Sequence, residues 1–268
     1  MQLIDLMIEQ LIPGGSVVIP APELCDFQLP PPRVSVPSVF QAFKSVSTYD
    51  RLMHSFGKSY ADLVRMLLRQ IDNPPDWVSF PRDESHIEQI LAYATKNNMA
   101  VIPFGVGTSV CGAVRCGAVE PAVGNSYGAT ISLDREHFNK VLEIDSISRA
   151  ARVQAGILGP DLEAVLRPEG LTLRHFPQSF QFSTLGGWIA TRAGGHFATL
   201  CTHIDDFVES TRMITPSGVL QTRRLPGSGA GPSPDRSVLG SEGDHRSLGE
   251  IARDSSLAGV DESALCVL

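Results

Sequence analysis

Residues 99–114 read M-A-V-I-P-F-G-V-G-T-S-V-C-G-A-V, an apolar run that delivers the chain into three glycines and a Thr-Ser pair. The run, Met99 to Ile102, reads as a strand. Beyond it, Gly105, Gly107 and Gly112 remove Cβ atoms where backbone must pass close to something, and Thr108 and Ser109 add hydroxyls. A phosphate suits such a loop, yet neither of the two familiar phosphate loops is present. A Walker loop needs Gly-Lys-Ser/Thr, and no lysine follows Gly107 or Gly112 closely. A Rossmann fingerprint needs G-x-G-x-x-G opening a helix, whereas the spacing here is G-x-G-x(4)-G and residues 110–114 offer no helix start. Two readings stay open: a cradle of backbone N–H groups around a pyrophosphate, each bond to a charged oxygen contributing about 1.5–3 kcal/mol, or a glycine-rich turn after a buried strand.

Working outward, residues 77–80 read as a strand ended by Pro81. Ser85 and Glu88 have the spacing of a capping box, and Ile87, Ile90, Leu91 and Ala94 fall on one helical face that ends near Asn97-Asn98. A strand-helix-strand unit thus feeds the glycine loop. Downstream, residues 131–133, 141–144 and 151–155 read as strands, and residues 160–166 as a helix opened by Pro160 and closed before Gly170. Residues 212–215 and 219–222 form a hairpin across P-S-G. The mixture predicts an α+β fold of two small lobes, with no internal repeat.

Upstream, residues 1–72 read as an N-terminal extension. Its apolar start stops at Pro13-Gly14-Gly15, residues 20–37 are proline-rich, and a helix over residues 60–71 carries Leu63, Met66, Leu67 and Ile71 at helical spacing. Residues 225–235 read as a flexible loop, and beyond Gly243 the apolar pattern fades with no core element in view.

Composition narrows the function classes. At 268 residues, 43% hydrophobic and 19% charged, the chain has enough apolar material for a real core. With 22 basic and 29 acidic residues the net charge of -7 argues against a nucleic-acid footprint. No apolar run spans a bilayer and the start has no basic n-region, so a cytoplasmic protein is expected. Five irregularly spaced cysteines predict reduced thiols rather than a disulfide framework. His196, Cys201 and His203 suggest a metal, but no second ligand pair accompanies them and no metal is assigned.

A second stretch, residues 175–195, reads H-F-P-Q-S-F-Q-F-S-T-L-G-G-W-I-A-T-R-A-G-G. Small residues cluster there as they do where a flat, bulky ligand lies against backbone. Together with P-F-G-V-G-T-S, T-P-S-G-V-L and G-S-E-G, in this order and spacing, it resembles the FAD-binding domain of the vanillyl-alcohol oxidase superfamily, the PCMH-type fold. Within that superfamily it is most similar to the alkyldihydroxyacetonephosphate synthases. The likeness covers about residues 72–243. It implies a PCMH-type FAD-binding domain over residues 73–243, with FAD between two small α/β lobes.

By position, the resemblance implies that Pro103, Phe104, Gly105, Val106, Gly107, Thr108 and Ser109 hold the FAD pyrophosphate. Gln178, Ser179, Phe180, Gln181, Phe182, Ser183, Thr184 and Gly187 lie along the cofactor near its ring. Thr191, Arg192, Ala193 and Gly194 complete the pocket, with Gly240, Ser241, Glu242 and Gly243 of the G-S-E-G motif. His175 matches a family histidine expected to act as an acid/base or to bind the substrate phosphate; a loop histidine bonded to backbone is the competing reading. Many relatives of this kind link flavin covalently through a histidine in the first glycine loop, and none occurs in residues 103–114, so FAD is expected to be non-covalent.

The implied reaction is ether-lipid synthesis: flavin N5 captures dihydroxyacetone phosphate as the fatty acyl group leaves, and a fatty alcohol replaces it. The substrates are then acyl-dihydroxyacetone phosphate and a fatty alcohol, the full-length protein a homodimer, and a eukaryotic member peroxisomal, although C-V-L is no peroxisomal tripeptide. After G-S-E-G the family continues into a cap domain with a catalytic tyrosine and phosphate-binding basic residues. Residues 244–268, D-H-R-S-L-G-E onward, instead read as a divergent tail, so the chain is expected to be truncated and inactive alone. Two other readings remain: a fragment of an FAD-dependent D-lactate or glycolate dehydrogenase, and a non-catalytic flavin- or partner-binding remnant. Acid precipitation of the flavin-loaded chain is expected to leave a yellow supernatant, measured by its visible spectrum; colour retained in the pellet would mean a covalent bond.

Overall fold

The computed structural model describes residues 19–116, 127–196, 203–224, 234–242 and 260–267. The first sheet has the order β1 (Lys44–Ser45), β2 (Trp77–Ser79), β4 (Ala129–Asp134), β3 (Met99–Phe104). Its last three strands are parallel, and β1 runs antiparallel at the edge. The strand-helix-strand unit is present, with β4 inserted between its two strands, so that Ile131 lies opposite Trp77 on one side and Val101 on the other. Every residue of β4 is buried, as a central parallel strand requires.

Six α-helices are described: α1 (Thr48–Met53), α2 (Tyr60–Leu67), α3 (Glu84–Lys96), α4 (Gly159–Leu166), α5 (Leu185–Thr191) and α6 (Asp235–Val238). Helix α3 buries Ile87, Ile90, Leu91 and Ala94 against the first sheet, the face expected from their spacing. Its cap is Asp83, whose carboxylate accepts the His86 amide at 3.0 Å. The box expected at Ser85 and Glu88 therefore starts two residues late: Ser85 is helical and donates its hydroxyl to Asp83 Oδ1 at 2.9 Å.

The second sheet is antiparallel throughout, in the order β5 (Val141–Asp145), β6 (Ala150–Gln154), β9 (Val260–Val267), β7 (Val208–Thr215), β8 (Gly218–Gln221). The β7–β8 hairpin pairs Thr215 with Gly218, leaving a two-residue turn rather than the expected three. The larger correction is β9. Residues beyond Gly243 were expected to build nothing, yet Val260–Val267 is the central strand, pairing Ala151 with Cys266 on one side and Thr211 with Ala264 on the other. Leu162, Leu166, Leu185, Trp188 and Ile189 of α4 and α5 share one buried core with Ala151, Val153 and Met213 of this sheet. Arg212 on β7 ties the layers together through bonds of 2.7 and 2.6 Å to the two carboxylate oxygens of Glu84.

Residues 19–72 are no detachable extension. Phe40 and Phe43 sit in the core with Trp77 and Ile131, and Asp76 joins the parts by accepting from the Arg33 amide at 2.6 Å and the Thr130 amide at 2.7 Å. Helix α2 ends at Leu67, short of the expected Ile71, and turns unlike its apolar spacing suggests: Leu63 is 48% exposed and Asp62 is buried. The ion pair explains the rotation. Asp62 Oδ1 accepts from Arg115 Nη2 at 2.5 Å, fastening α2 to the segment after the glycine loop. Next to it the Lys58 amide donates to the Ser109 carbonyl at 2.7 Å, and His54 bridges the Asp50 carbonyl and Asp134 Oδ2 at 2.7 and 2.9 Å. The stretch from His54 to Asp62 is thus a clamp on the loop. Among the described residues, no helix is long and apolar enough to cross a membrane.

Phe40→Ala removes a buried ring from a core that has been shown to include the N-terminal segment. It is expected to cost about 3–5 kcal/mol in urea unfolding, in one transition rather than two. The clamp sets a pH dependence. Burial pushes the Asp62 carboxyl up, but hydrogen bonds from Arg115 and Ser59 outweigh it and leave the group below its ordinary value. With the folded value below the unfolded one, its stabilisation is complete above about pH 4 and is lost as pH falls through the folded value. Asp62→Asn is expected to flatten that acid limb in urea midpoints measured against pH.

Candidate functional site

The loop that leaves β3 runs against Thr184, the residue that caps α5 by accepting the Gly187 amide at 3.2 Å. A Cβ on Gly105 would stand 2.7 Å from Thr184 Oγ1, so glycine lets the two segments meet with the Thr184 cap undisturbed. Gly107 follows with φ +68°, and a Cβ there would lie 2.6 Å from the Phe104 ring. Val106, Gly107, Thr108 and Ser109 donate their N–H groups to no acceptor among the described residues. Such a row of unspent donors has the chemistry to hold an anion.

Between the two segments lies a cavity of about 670 Å³, within the ordinary range for a small-molecule site. Pro103, Gly105, Val106, Gly107, Thr108 and Ser109 form one wall. Gln178, Ser179, Phe182, Ser183, Thr184 and Gly187 form the other, with Thr191, Ala193, Ser241 and Glu242 also lining it. The second wall is locked from behind: Ser183 Oγ donates to the Ser179 carbonyl at 2.8 Å and accepts from Trp188 Nε1 at 2.7 Å. Across the cavity, Cys111 donates its thiol to the Glu242 carboxylate at 3.4 Å, joining the first loop to the G-S-E-G turn.

Several expected site residues do not line the cavity. Phe104 is buried beneath the loop, its ring 4.0 Å from that of His54. Phe180 packs on Trp188, and Gln181 is exposed outside the lining. Arg192 turns away, because Asp205 takes its Nε at 2.8 Å and its Nη2; it lines a separate surface cleft. Gly194 pairs with His203 in an isolated bridge, and Gly240 backs the Arg192 side chain. Gly243 and Cys201 lie outside the described residues.

His175 departs furthest from expectation. It is 1% exposed, packed edge-on against Trp188 and Phe207, and absent from the cavity wall. Its ring packs against Trp188, whose residue lies between it and the cavity lining. Conversely, Lys58, Arg135, Met213 and Val238 line the cavity and lie outside both glycine-rich motifs, and Trp188 lines it from inside the second without having been singled out. Arg135 was accessible only through contact: a Cβ on Gly186 would lie 2.8 Å from its Nη1, so the second Gly-Gly pair makes room for a guanidinium.

The pocket passes a physical test for a diphosphate-bridged dinucleotide: adequate volume, a glycine approach, free amides, and the cations Lys58 and Arg135 against the one carboxylate of Glu242. Comparison with known proteins agrees. Alkyldihydroxyacetonephosphate synthase of Dictyostelium discoideum is 40% identical over 193 residues, 72% of this chain and 30% of that protein. Glycolate oxidase subunit GlcD of Bacillus subtilis is 30% identical over 176 residues, 65% of this chain and 35% of that protein. A solved alkyldihydroxyacetonephosphate synthase superposes with a TM-score of 0.77 at 33% identity, covering 92% of this chain and 44% of that one. The chain therefore spans about a third of the length of these curated relatives. A family model described as an FAD binding domain matches residues 75–223, more than half of the chain, and the protein belongs to that FAD-binding family.

Proposed function

We propose that this chain is the FAD-binding portion of an alkyldihydroxyacetonephosphate synthase-like enzyme. The observation that carries the reading is the cavity in which the 105–109 loop, with its free amides, faces the Ser179–Thr184 segment. The amides of Val106 to Ser109 hold the FAD diphosphate, and the hydroxyl of Thr108 supplements them. Gln178, Ser179, Phe182 and Thr184 line the isoalloxazine, with the apolar wall of Trp188, Ile189 and Met213 excluding water. Binding is non-covalent, since the loop offers no histidine. Bound there, the flavin would supply an electron-poor ring able to take up a carbon fragment or a hydride. His175 serves as a packing support for α5, and residues 73–243 form the cofactor unit, with Lys58 of the clamp of residues 54–62 added to its cavity lining.

The substrate class rests on likeness. Greater identity to the synthase, 40% against 30% for the glycolate oxidase subunit, favours acyl-dihydroxyacetone phosphate and a fatty alcohol over a 2-hydroxy acid. The same reading assigns a homodimer to the full-length protein, and the cytoplasm, or the peroxisome in a eukaryotic cell.

FAD titration of the chain, followed by quenching of flavin fluorescence, tests the site. Gly105→Val is expected to weaken binding at least about tenfold, a loss of about 1.4 kcal/mol. Equal affinity in the variant would place FAD elsewhere. For the reaction, the chain joined to the C-terminal portion of the Dictyostelium synthase is expected to convert palmitoyl-dihydroxyacetone phosphate and hexadecanol to the ether product. Bleaching of its flavin by D-lactate, with no ether formed, would reverse the substrate assignment.

A further inference from the structure

The loop at residues 105–109 carries no lysine, but the clamp beside it does. Gly57 is pressed so closely on the Ser109 carbonyl that a Cβ there would overlap it, and the next residue, Lys58, donates its amide to that same oxygen at 2.7 Å. This fixes the Lys58 backbone against the last residue of the amide cradle, and Lys58 is one of the residues lining the cavity with Gly105, Gly107 and Ser109. The carboxylate nearest in sequence, Asp62, is taken by Arg115 at 2.5 Å and Arg65 at 3.4 Å. Lys58 accordingly pairs with no carboxylate among the described residues, and it is exposed at the mouth of the clamp. The family model begins at residue 75, so nothing in the match assigns this position a role.

We propose that Lys58 is an anion-binding residue of the cleft, supplying from a separate segment the cation that the glycine loop lacks and meeting the diphosphate of the bound dinucleotide. This rests on the FAD reading above. An ammonium acts as a point charge on phosphate and needs no fixed bidentate geometry, which suits an exposed side chain on an anchored backbone. It also makes the contact sensitive to salt.

The test compares Lys58→Glu and Lys58→Arg with the unaltered chain, titrating FAD and, as a phosphate-free probe, riboflavin, at low and high sodium chloride. Lys58→Glu is expected to weaken FAD about tenfold at low salt and to flatten its salt dependence, leaving riboflavin unchanged; Lys58→Arg is expected to keep FAD binding within about threefold. FAD affinity and salt dependence unchanged in Lys58→Glu would overturn the proposal, as would equal losses of FAD and riboflavin, which denote a packing role. If the unaltered chain binds neither probe, the FAD reading itself fails and this proposal goes with it. Thermal unfolding of each variant, expected to match that of the parent, separates lost charge from lost fold.

Discussion

The meeting of Gly105 with Thr184 is the constraint on which the cavity depends. The two residues belong to different layers, one at the end of a parallel strand and the other at the cap of a helix on the antiparallel sheet. At 2.7 Å from Thr184 Oγ1, a Cβ at residue 105 would force the Thr184 hydroxyl out of its place as the cap of α5. The contact therefore sets the separation of the two segments along the whole cleft.

Support for that contact comes from outside the matched family region. His54, Gly57, Lys58 and Asp62 each hold the glycine loop or the strand ends beneath it, through a buried carboxylate, a carbonyl or a close backbone approach. Helix α2 accepts an unfavourable orientation in the process, with Tyr60 and Leu63 turned to solvent so that Asp62 can face Arg115. A buried carboxylate with a bonded guanidinium can override an apolar stripe, because leaving Asp62 inside without that partner would cost more than exposing leucine.

Legibility in the sequence followed the range of the forces involved. Local signals were sound: the apolar face of α3, the strand at Met99, the proline at the start of α4 and the stop at Asn97-Asn98 all depend on neighbours a few residues away. The two walls were legible as well, because backbone that must lie close to something shows as glycine and small residues. Lost were the features decided by distant partners. Arg192 was recruited by Asp205, Arg135 entered beside Gly186, and Lys58 arrived on a segment with no motif. β9 was hidden because Asp261 and Glu262 interrupt any apolar alternation, and its place is set by pairing with β6 and β7.

The position of β9 bears on how the molecule assembles during synthesis. All strands of the parallel sheet lie within residues 44–134 and can come together while later residues are still being made. The antiparallel sheet has no such freedom. Strands β6 and β7 are separated by β9, so their hydrogen-bonding edges stay open until residues 260–267 leave the ribosome. Until then the half-built sheet presents unpaired edges of the kind chaperones shield and aggregates recruit. Vectorial folding should thus pause with the first sheet finished and the second still divided in two.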